Sequence, residues 1–275
     1  MNDIKARIKS VSGTMQITKA MELVAISKLR RAKEKVEASR PFFNLISEAI
    51  KTVEGSSEVG STVWFSPKDT GKTLYVVIAG DRGLAGGYNS NVFKLTSAVK
   101  GEGDAIYLPV GKKSLDHFKH SGNPIFSESF AYISEIGVGD SFAMAEAICR
   151  AYVAGEFSRV EIVYTKFLSM MSQSATHTVL LPLAVEKPEK STDPIWDGEP
   201  EELLDKMVPQ YVGGVLYSCV CEAVASELSA RRMSMNAANK NASEMIDALM
   251  LGYNRARQAV ITQEITEIVS GAEAL

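Results

Sequence analysis

Residues 4–36 read IKARIKSVSGTMQITKAMELVAISKLRRAKEKV, and no proline interrupts them. Apolar side chains at positions 4, 8, 11 and 15 follow the 4-3-4 spacing of one helical face. The predicted apolar stripe then shifts to Ile17, Met21, Val24, Ala25, Leu29, Ala32 and Val36. About 40 residues of helix, at about 1.5 Å each, would be about 60 Å long. Because so long a helix is not stable alone, the pattern predicts a partner along its length.

The C-terminal residues 210–275 supply the predicted partner, since they also lack proline. Roughly 65 residues of helix would be about 95 Å long. Spacings of 3 and 4 between apolar positions are typical of a coiled coil. These positions are Val212, Val215, Cys219, Ala223, Ala242, Met245, Leu249, Tyr253, Ala256, Val260, Ile261, Ile265, Ile268 and Val269. Because a whole domain joins the two helices, we expect a long antiparallel two-helix coiled coil formed by the N- and C-termini.

The middle of the chain alternates between strand and helix patterns. Residues 73–79 (TLYVVIA) are typical of a strand that is buried on both faces. Further strands are expected at 105–110, 124–130, 160–164 and 178–183, and helices at 91–99, 114–120 and 140–154. Asp140 is the expected N-cap of the last helix.

This alternation predicts the fold class α/β, with a mostly parallel, doubly wound sheet in a central Rossmann-like domain. The predicted division of the chain is an N-terminal shaft helix at 1–55, the α/β domain at 72–200 and a C-terminal shaft helix at 205–275. Residues 186–200 are rich in Pro, Asp and Glu, which indicates a loop back to the shaft.

The loop Asp81-Arg82-Gly83-Leu84-Ala85-Gly86-Gly87-Tyr88-Asn89 follows the first predicted strand, where dinucleotide-binding enzymes place a phosphate loop. Its glycine spacing is not G-x-G-x-x-G, and no Lys-Ser or Lys-Thr pair follows. One interpretation is an anion cradle built from backbone N–H groups. The pattern favours a second interpretation, a tight turn between strand and helix that uses the backbone freedom of Gly83, Gly86 and Gly87.

Composition and residue types argue against several functional classes. The formal net charge is −3, and no apolar run of about 18 residues predicts a membrane-spanning helix. Three cysteines and three histidines provide neither a disulfide framework nor a metal site, and the cysteines are expected to be small buried side chains. No acid or nucleophile stands at a suggestive spacing from His117, His120 or His177. No catalytic residue, metal or cofactor is therefore predicted.

Charge and hydrophobicity near the N-terminus indicate a protein partner. Residues 1–40 hold ten Lys or Arg against four acids, whereas the chain from Gln258 onward holds three acids and no base. A basic cluster with no interleaved aromatic residue is usually a solvated helix face, and it suits an acidic protein better than nucleic acid. This basic cluster is Lys28, Arg30, Arg31, Lys33 and Lys35. Residues 20–26 (AMELVAI) are apolar nearly all round, which predicts that a larger assembly encloses them.

Two alternatives compete with a shaft inserted in an assembly. A nucleotide-dependent enzyme built on the α/β domain would need a recognisable phosphate loop and a catalytic pair. A structural or nucleic-acid-associated coiled coil would need an even basic stripe and a narrow two-residue seam.

Four stretches resemble the gamma subunit family of F-type ATP synthase. The two ends are ITKAMELVAISKLRRAKE (17–34) and YNRARQAVITQEITEIVSGAEAL (253–275), and the internal segments are DRGLAGGYN (81–89) and SARRMSMNAANKNA (229–242). The C-terminal pattern I-T-x-E-x-x-E-x-x-x-G-A at 261–272 is highly specific, and the resemblance runs over essentially the whole chain.

The resemblance implies a rotor shaft. In this family the coiled coil lies inside a hexamer of alpha and beta subunits, and the α/β domain lies below, with the epsilon subunit and the membrane ring of c subunits. Ion flow turns the ring and the shaft, and the shaft drives each beta subunit through its catalytic states. The implied chain has no active site and no cofactor. It joins the membrane only through the complex, as a peripheral protein at the cytoplasmic face of a bacterial plasma membrane.

The resemblance also implies particular contact residues. Contacts with the beta subunits fall on Met21, Lys28, Arg30 and Arg31. The upper shaft and the bearing at the top of the hexamer involve Arg231, Gln258, Thr262, Glu264, Ile265, Ile268 and Val269, within an apolar tip that runs to residue 275. The turn in the α/β domain involves Asp81, Arg82, Gly83, Gly86 and Gly87.

The sequence also departs from the family pattern at three positions. Ala85 stands where the family often has Cys, which excludes a thiol role there. Asn236 and Lys240 stand where Lys and Asp are common, so an ion pair between these positions is not carried over.

Overall fold

A computed structural model describes residues 1–54, 62–66, 71–100, 103–183 and 200–273. The loop predicted at 186–200 lies outside the described residues, except for its last residue. In chain order the elements are α1 (Asn2–Glu54), β1 (Thr73–Ile78), α2 (Tyr88–Lys100), β2 (Ala105–Val110), α3 (Lys112–His120), a 3-10 helical turn (Ile133–Glu135), α4 (Val138–Val153), β3 (Arg159–Phe167), β4 (Gln173–Leu181) and α5 (Pro200–Glu273).

The chain divides into two compact units. Unit 1 comprises Met1–Ile26 and Arg231–Leu275, and unit 2 comprises Ser27–Ala230. Both terminal helices therefore contribute to both units. Because unit 1 joins the beginning of α1 to the end of α5, the two helices run antiparallel there, as predicted.

The terminal helices are longer than proline spacing predicts. α1 has 53 residues and continues through Pro41, and α5 has 74 residues and continues through Pro209. An interior proline costs a helix about 3 kcal/mol. Val208 and Val212, on either side of Pro209, are fully buried in the core of unit 2. Since burying each valine stabilises by about 1.5–3 kcal/mol, packing outweighs the cost of the proline.

Unit 2 contains a four-stranded sheet in the order β2-β1-β3-β4. β1 is parallel to β2 and β3, whereas β4 is antiparallel to β3. Alternate residues of β1 face opposite sides: Leu74, Val76 and Ile78 join the core that includes α4 and α5, and Tyr75 and Val77 join the core that includes α2 and α3. Helices thus cover both faces, which confirms the mostly parallel, doubly wound, Rossmann-like fold.

Three details of the predicted α/β domain are wrong. Residues 124–130 make only one β-bridge, Tyr107 to Ile125, because Ser127, Glu128 and Ser129 interrupt the apolar pattern. β4 begins at Gln173 rather than 178, because residues 173–177 also pair with β3, although they are mostly polar and none of them is buried. Asp140 is the third residue of α4, and its carboxylate accepts the N–H of the true N-cap, Gly137, at 2.8 Å.

The seam of unit 1 is the line of side chains along which α1 and α5 pack together. Its positions follow a strict alternation of spacings of four and three residues, without the predicted shift in the stripe. On α1 the buried or half-buried seam positions are 4, 8, 11, 15, 18, 22 and 25, and on α5 they are 235, 239, 242, 246, 249, 253 and 256. Ile17, Val24, Met245 and Val260, which were predicted in the stripes, are exposed. A prediction from hydrophobicity alone places these residues in the seam. The coiled-coil spacing instead brings polar residues into some seam positions and leaves these apolar residues outside.

Candidate interaction surfaces and the loop after β1

A polar layer interrupts the seam of unit 1. Thr18 Oγ1 donates a hydrogen bond to Asn239 Oδ1 at 2.5 Å, and Asn239 Nδ2 donates to Glu22 Oε2 at 3.0 Å. Lys19 Nζ contacts the same carboxylate oxygen at 3.0 Å. Glu22 is only 6% exposed. A buried carboxylate must be paired, so this layer makes one register of the two helices preferable to others.

The apolar pattern does not predict this polar layer. Spacings of four and three residues, alternating strictly from Ile4, do place Thr18 and Glu22 in the seam. The layer displaces neighbouring apolar side chains to the outside. Leu23, Val24 and Ile26 are exposed, and Met21 is half-buried. The segment predicted to be enclosed on all sides is therefore uncovered in the isolated chain. Exposed apolar groups of this kind mark an interaction surface.

The last part of α5 is a second exposed apolar surface. Every residue of 257–272 is exposed, and Ile268 is exposed to 72%. This stretch contains the predicted Gln258, Thr262, Glu264, Ile265, Ile268 and Val269. Thr262 Oγ1 donates to the carbonyl of Gln258 at 2.9 Å, so that hydroxyl is satisfied within the helix. Arg231 is half-buried, and the end of the predicted apolar tip, residues 274 and 275, lies outside the described residues.

The basic cluster belongs to unit 2, whereas Met21 belongs to unit 1. Four of its side chains are exposed, and Lys33 is half-buried with Nζ 5.5 Å from the ring centroid of Phe167. Leu29, Ala32 and Val36 alternate with the cations and pack against α5. Arg30 lies 4.0 Å from Glu34, and a surface pair of that kind contributes little to stability. The packed apolar residues thus hold a positively charged face on a rigid helix.

Asp81 organises the loop after β1. Its Oδ1 accepts the backbone N–H groups of Lys112 at 3.2 Å and Ile133 at 2.9 Å. Its Oδ2 accepts the N–H of Ser134 at 3.1 Å and the hydroxyl of the same residue at 2.7 Å. One carboxylate thus ties the end of β1 to the start of α3 and to the 3-10 turn. Sequence reasoning found Asp81 but not these partners, which lie 31 to 53 residues away.

The remainder of the loop favours the tight-turn interpretation. Among its three glycines, all described, only Gly86 has a positive φ, of 58°, and Leu84 shares that conformation with φ 62°. Asn89 Oδ1 accepts the N–H of Gly80 at 2.9 Å, and Asn89 Nδ2 donates to the carbonyl of Arg82 at 3.3 Å. Asn89 thus closes the turn on itself, while Asp81 fixes the turn to the neighbouring segments.

Glu227 argues against an anion cradle at this loop. A Cβ placed on Gly80 would lie 2.5 Å from Glu227 Oε1, so the glycine makes room for the carboxylate. Glu227 is buried. A buried acid packed against the loop backbone disfavours a second negative group at the same place.

The cysteines are buried, as predicted. Burial raises the pKa of Cys149 to about 12 and raises the pKa of Cys219 and Cys221 as well. Because the thiolate is the nucleophile, these thiols are unreactive near neutral pH. Within the described part of the chain, no group of three His, Cys, Asp or Glu is placed to hold a metal ion. No helix in that part has the length and apolar character that a membrane span needs.

We expect Asp81→Ala to lower the free energy of unfolding by about 2 kcal/mol, because it leaves three N–H groups and one hydroxyl without their acceptor. Urea denaturation measures the change. The exposed neighbour provides the control, since Arg82→Ala should change stability by less than about 0.5 kcal/mol. Equal effects of the two substitutions would contradict the role of Asp81.

Comparison with known proteins gives a consistent result over the full length. A sequence model of the ATP synthase family matches residues 1–275. The ATP synthase gamma chain of Ruminococcus albus is 45% identical over 282 residues, covering 99% of this chain and 97% of that protein. The sodium-ion-specific ATP synthase gamma chain of Acetobacterium woodii is 41% identical over 297 residues, covering 100% and 98%.

A solved structure is similar in fold. It is a chain of the Euglena gracilis mitochondrial ATP synthase, in a structure of OSCP/F1/c-ring in rotational state 3. The TM-score is 0.69 at 17% identity, and the match covers 99% of this chain and 93% of that chain. At this identity the likeness supports the fold alone.

Proposed function

This chain belongs to the ATP synthase gamma-chain family, and from that premise we propose that it is the central rotor shaft of the complex. Ion-driven rotation of the membrane c-ring turns the shaft, and the shaft moves the beta-subunit catalytic sites through their conformations during ATP synthesis or hydrolysis. The chain has no catalytic role by itself. It acts because its contacts differ between the conformations of the catalytic subunits, so that rotation shifts their equilibrium.

The exposed end of α5 carries this proposal. Ile261, Ile265, Ile268 and Val269 are exposed on the last part of α5, residues 257–272, which no other described residue covers. A row of large apolar side chains in water favours enclosure by another protein. The proposed enclosure is the sleeve at the top of the alpha and beta hexamer, where residues 265–275 form the bearing. Arg231, Gln258, Thr262 and Glu264 would provide the polar contacts of the upper shaft.

The contacts with the beta subunits are proposed at the other exposed surfaces of α1. Met21, together with the exposed Leu23 and Val24, would provide the apolar part. Lys28, Arg30 and Arg31 would face an acidic lever of the beta subunit, where electrostatic complementarity sets orientation and partner choice. In this proposal 1–55 and 205–275 form the shaft, and the α/β domain at 72–200 is the part that meets the epsilon subunit and the c-ring.

The proposed location follows from the proposed partners. The chain would be a peripheral part of a membrane-associated complex, held at the cytoplasmic face of a bacterial plasma membrane through the c-ring. No nucleic acid or cofactor takes part. The residues Asp81, Arg82, Gly83, Gly86 and Gly87 would serve as a structural turn that keeps the α/β domain rigid under load.

Reconstitution tests the proposed function. The purified chain is mixed with alpha and beta subunits of the same source, and native mass and ATPase rate are followed together. One copy of the chain entering a hexamer, with ATPase activity rising as assembly proceeds, is the expected result. ATPase or dehydrogenase activity in the chain alone would overturn the proposal and restore the enzyme alternative.

Reversing three charges of the basic cluster, with Lys28→Glu, Arg30→Glu and Arg31→Glu together, should lower the ATPase rate of the reconstituted complex about tenfold, or about 1.4 kcal/mol. All three side chains are exposed, so the fold should be unaffected. The matched control reverses three exposed lysines of unit 2 that lie outside the cluster, with Lys72→Glu, Lys94→Glu and Lys113→Glu. A similar loss in both triple variants would show that only net charge matters.

A further inference from the structure

We propose that the tip of the β3–β4 hairpin, residues 168–172, extends the basic cluster into one docking surface for an acidic segment of the beta subunit that also presents apolar side chains. We call residues 168–172 the hairpin tip. This inference rests on the proposed function, and it assigns a contact to residues on the α/β domain rather than on the shaft. Three observations support it: the rigidity of the tip, its exposed side chains and its position beside the basic cluster.

The hairpin tip is a well-ordered turn. Ser169 Oγ accepts the N–H groups of Met171 at 3.2 Å and Ser172 at 3.0 Å. The N–H of Ser169 donates to the carbonyl of Ser172 at 2.9 Å. Gln173 Nε2 donates to the carbonyls of Ser169 at 3.1 Å and Met170 at 3.2 Å. Since the turn is already ordered, docking to it costs little conformational entropy.

This ordered turn presents large apolar side chains to solvent. Leu168 and Met170 are exposed, and Met171 is exposed to 83%. A turn that serves only to connect two strands has no need for adjacent exposed methionines, and polar residues are the usual choice there. Methionine side chains are flexible and polarisable, so they adapt to a partner that changes conformation. Such a partner is what the proposed rotary cycle requires.

The hairpin tip starts where the basic cluster is anchored. Phe167, directly before the tip, packs against the group formed by Leu29, Ala32 and Val36 on α1. Lys33 of the basic cluster lies over the ring of Phe167. The cations of α1 and the apolar tip therefore belong to one part of unit 2.

The charge of this region identifies the chemistry of the partner. Residues 162–185 contain no Asp or Glu, and their basic side chains are Lys166 and His177. On α1, residues 28–35 contain one acid, Glu34, and its carboxylate lies 4.0 Å from Arg30. The surface is thus apolar at the tip and positive around it, which suits an acidic segment with apolar side chains.

Photo-cross-linking tests the contact in the assembled complex. A benzophenone amino acid is placed at position 171, at position 28 and, as a control, at position 138, which is an exposed valine in the first turn of α4. We expect position 171 to cross-link to the beta subunit and position 138 not to do so. Cross-links from 171 to other subunits only, or no cross-link from 171 while position 28 reacts with beta, would overturn the inference and leave the proposed function standing. If the chain does not enter the hexamer, both the inference and the proposed function are contradicted.

The sign of charge at the tip tests the acidic partner. Met171→Glu should lower the ATPase rate of the reconstituted complex about threefold, whereas Met171→Lys, which removes the same apolar side chain but adds a positive charge, should lower the rate clearly less. Val138→Glu is the matched control and should have no effect. Native mass confirms that every variant assembles. Equal losses with Met171→Glu and Met171→Lys would show that the partner surface is apolar but not acidic, and would overturn the proposal.

Discussion

Asn239→Ala should lower the free energy of unfolding by about 2–3 kcal/mol, although it removes only one small polar side chain. The amide of Asn239 donates to Glu22, whose carboxylate is buried in the seam of unit 1. Without that donor, Lys19, whose side chain is 60% exposed, is the partner that remains to the carboxylate among the described residues. A buried charge that loses a partner costs more than the hydrogen bond itself contributes.

Two further variants separate this mechanism from a loss of helix propensity. Asn236→Ala removes an exposed amide from the same helix and should change stability by less than about 0.5 kcal/mol. The double variant Glu22→Leu with Asn239→Leu replaces the pair by apolar groups and should recover most of the lost stability. Urea denaturation measures all three. Equal effects of Asn236→Ala and Asn239→Ala would contradict a role for the polar layer.

The polar layer also bears on the proposed mechanical role. Two helices held only by apolar contacts at spacings of 4 and 3 can shift by a heptad at little cost. Each shift would separate Asn239 from Thr18 and Glu22 and leave the carboxylate unpaired. The layer therefore favours one register, as a single polar core position does in other coiled coils. A shaft that transmits torque requires that its two helices do not slide.

Gly111→Ala should cost at least about 4 kcal/mol and strongly reduce the yield of folded protein. Gly111 has φ +92°, and an added Cβ would overlap the carbonyl oxygen of Ala79. The backbone has little freedom to relieve the overlap. The N–H of Gly111 donates to Phe130 at 3.0 Å, and the neighbouring N–H of Ala79 donates to Val110 at 2.9 Å. Both a strained φ and a clash with backbone then act together.

Gly155 provides a matched control for this prediction. Its φ is +82°, close to that of Gly111, but an added Cβ would have nothing within 4 Å. Gly155→Ala should therefore cost only the conformational term, about 1–2 kcal/mol. The difference between the two variants, measured by chemical denaturation, reports the clash alone. Similar costs would show that the end of β1 moves more easily than its hydrogen bonds indicate.

Much of the fold could be predicted because periodicity along the chain reflects local geometry. The strand pattern of TLYVVIA and the helical spacings at both ends led to β1 and to the two terminal helices. The helix lengths that proline spacing predicts, about 40 and about 65 residues, are shorter than the 53 and 74 residues of α1 and α5, because at Pro209 the burial of Val208 and Val212 outweighs the cost of the proline. The segment 124–130 was predicted as a strand from a short apolar pattern, which does not distinguish a strand from a loop.

The sequence predicts some of the interaction surfaces but not all of them. The basic cluster was visible as a charge pattern, and the end of α5 as apolar residues in a specific motif. The hairpin tip was not singled out, because two methionines in a turn have no periodicity that separates a surface from a core. Its significance depends on exposure and on the neighbouring α1, and a single sequence records neither.

Local causes produce the elements that can be read along the chain: two proline-poor helices, a buried strand beside alternating helices, and a charge pattern along α1. The polar layer and the role of Asp81 instead depend on how distant segments pack together. Thr18 meets Asn239 across 221 residues, and Asp81 meets Ser134 across 53. A polar side chain is stable in a seam or beneath a loop only when its partner is present. That partner is supplied by the folding of distant segments, so the pattern of either segment alone does not reveal it.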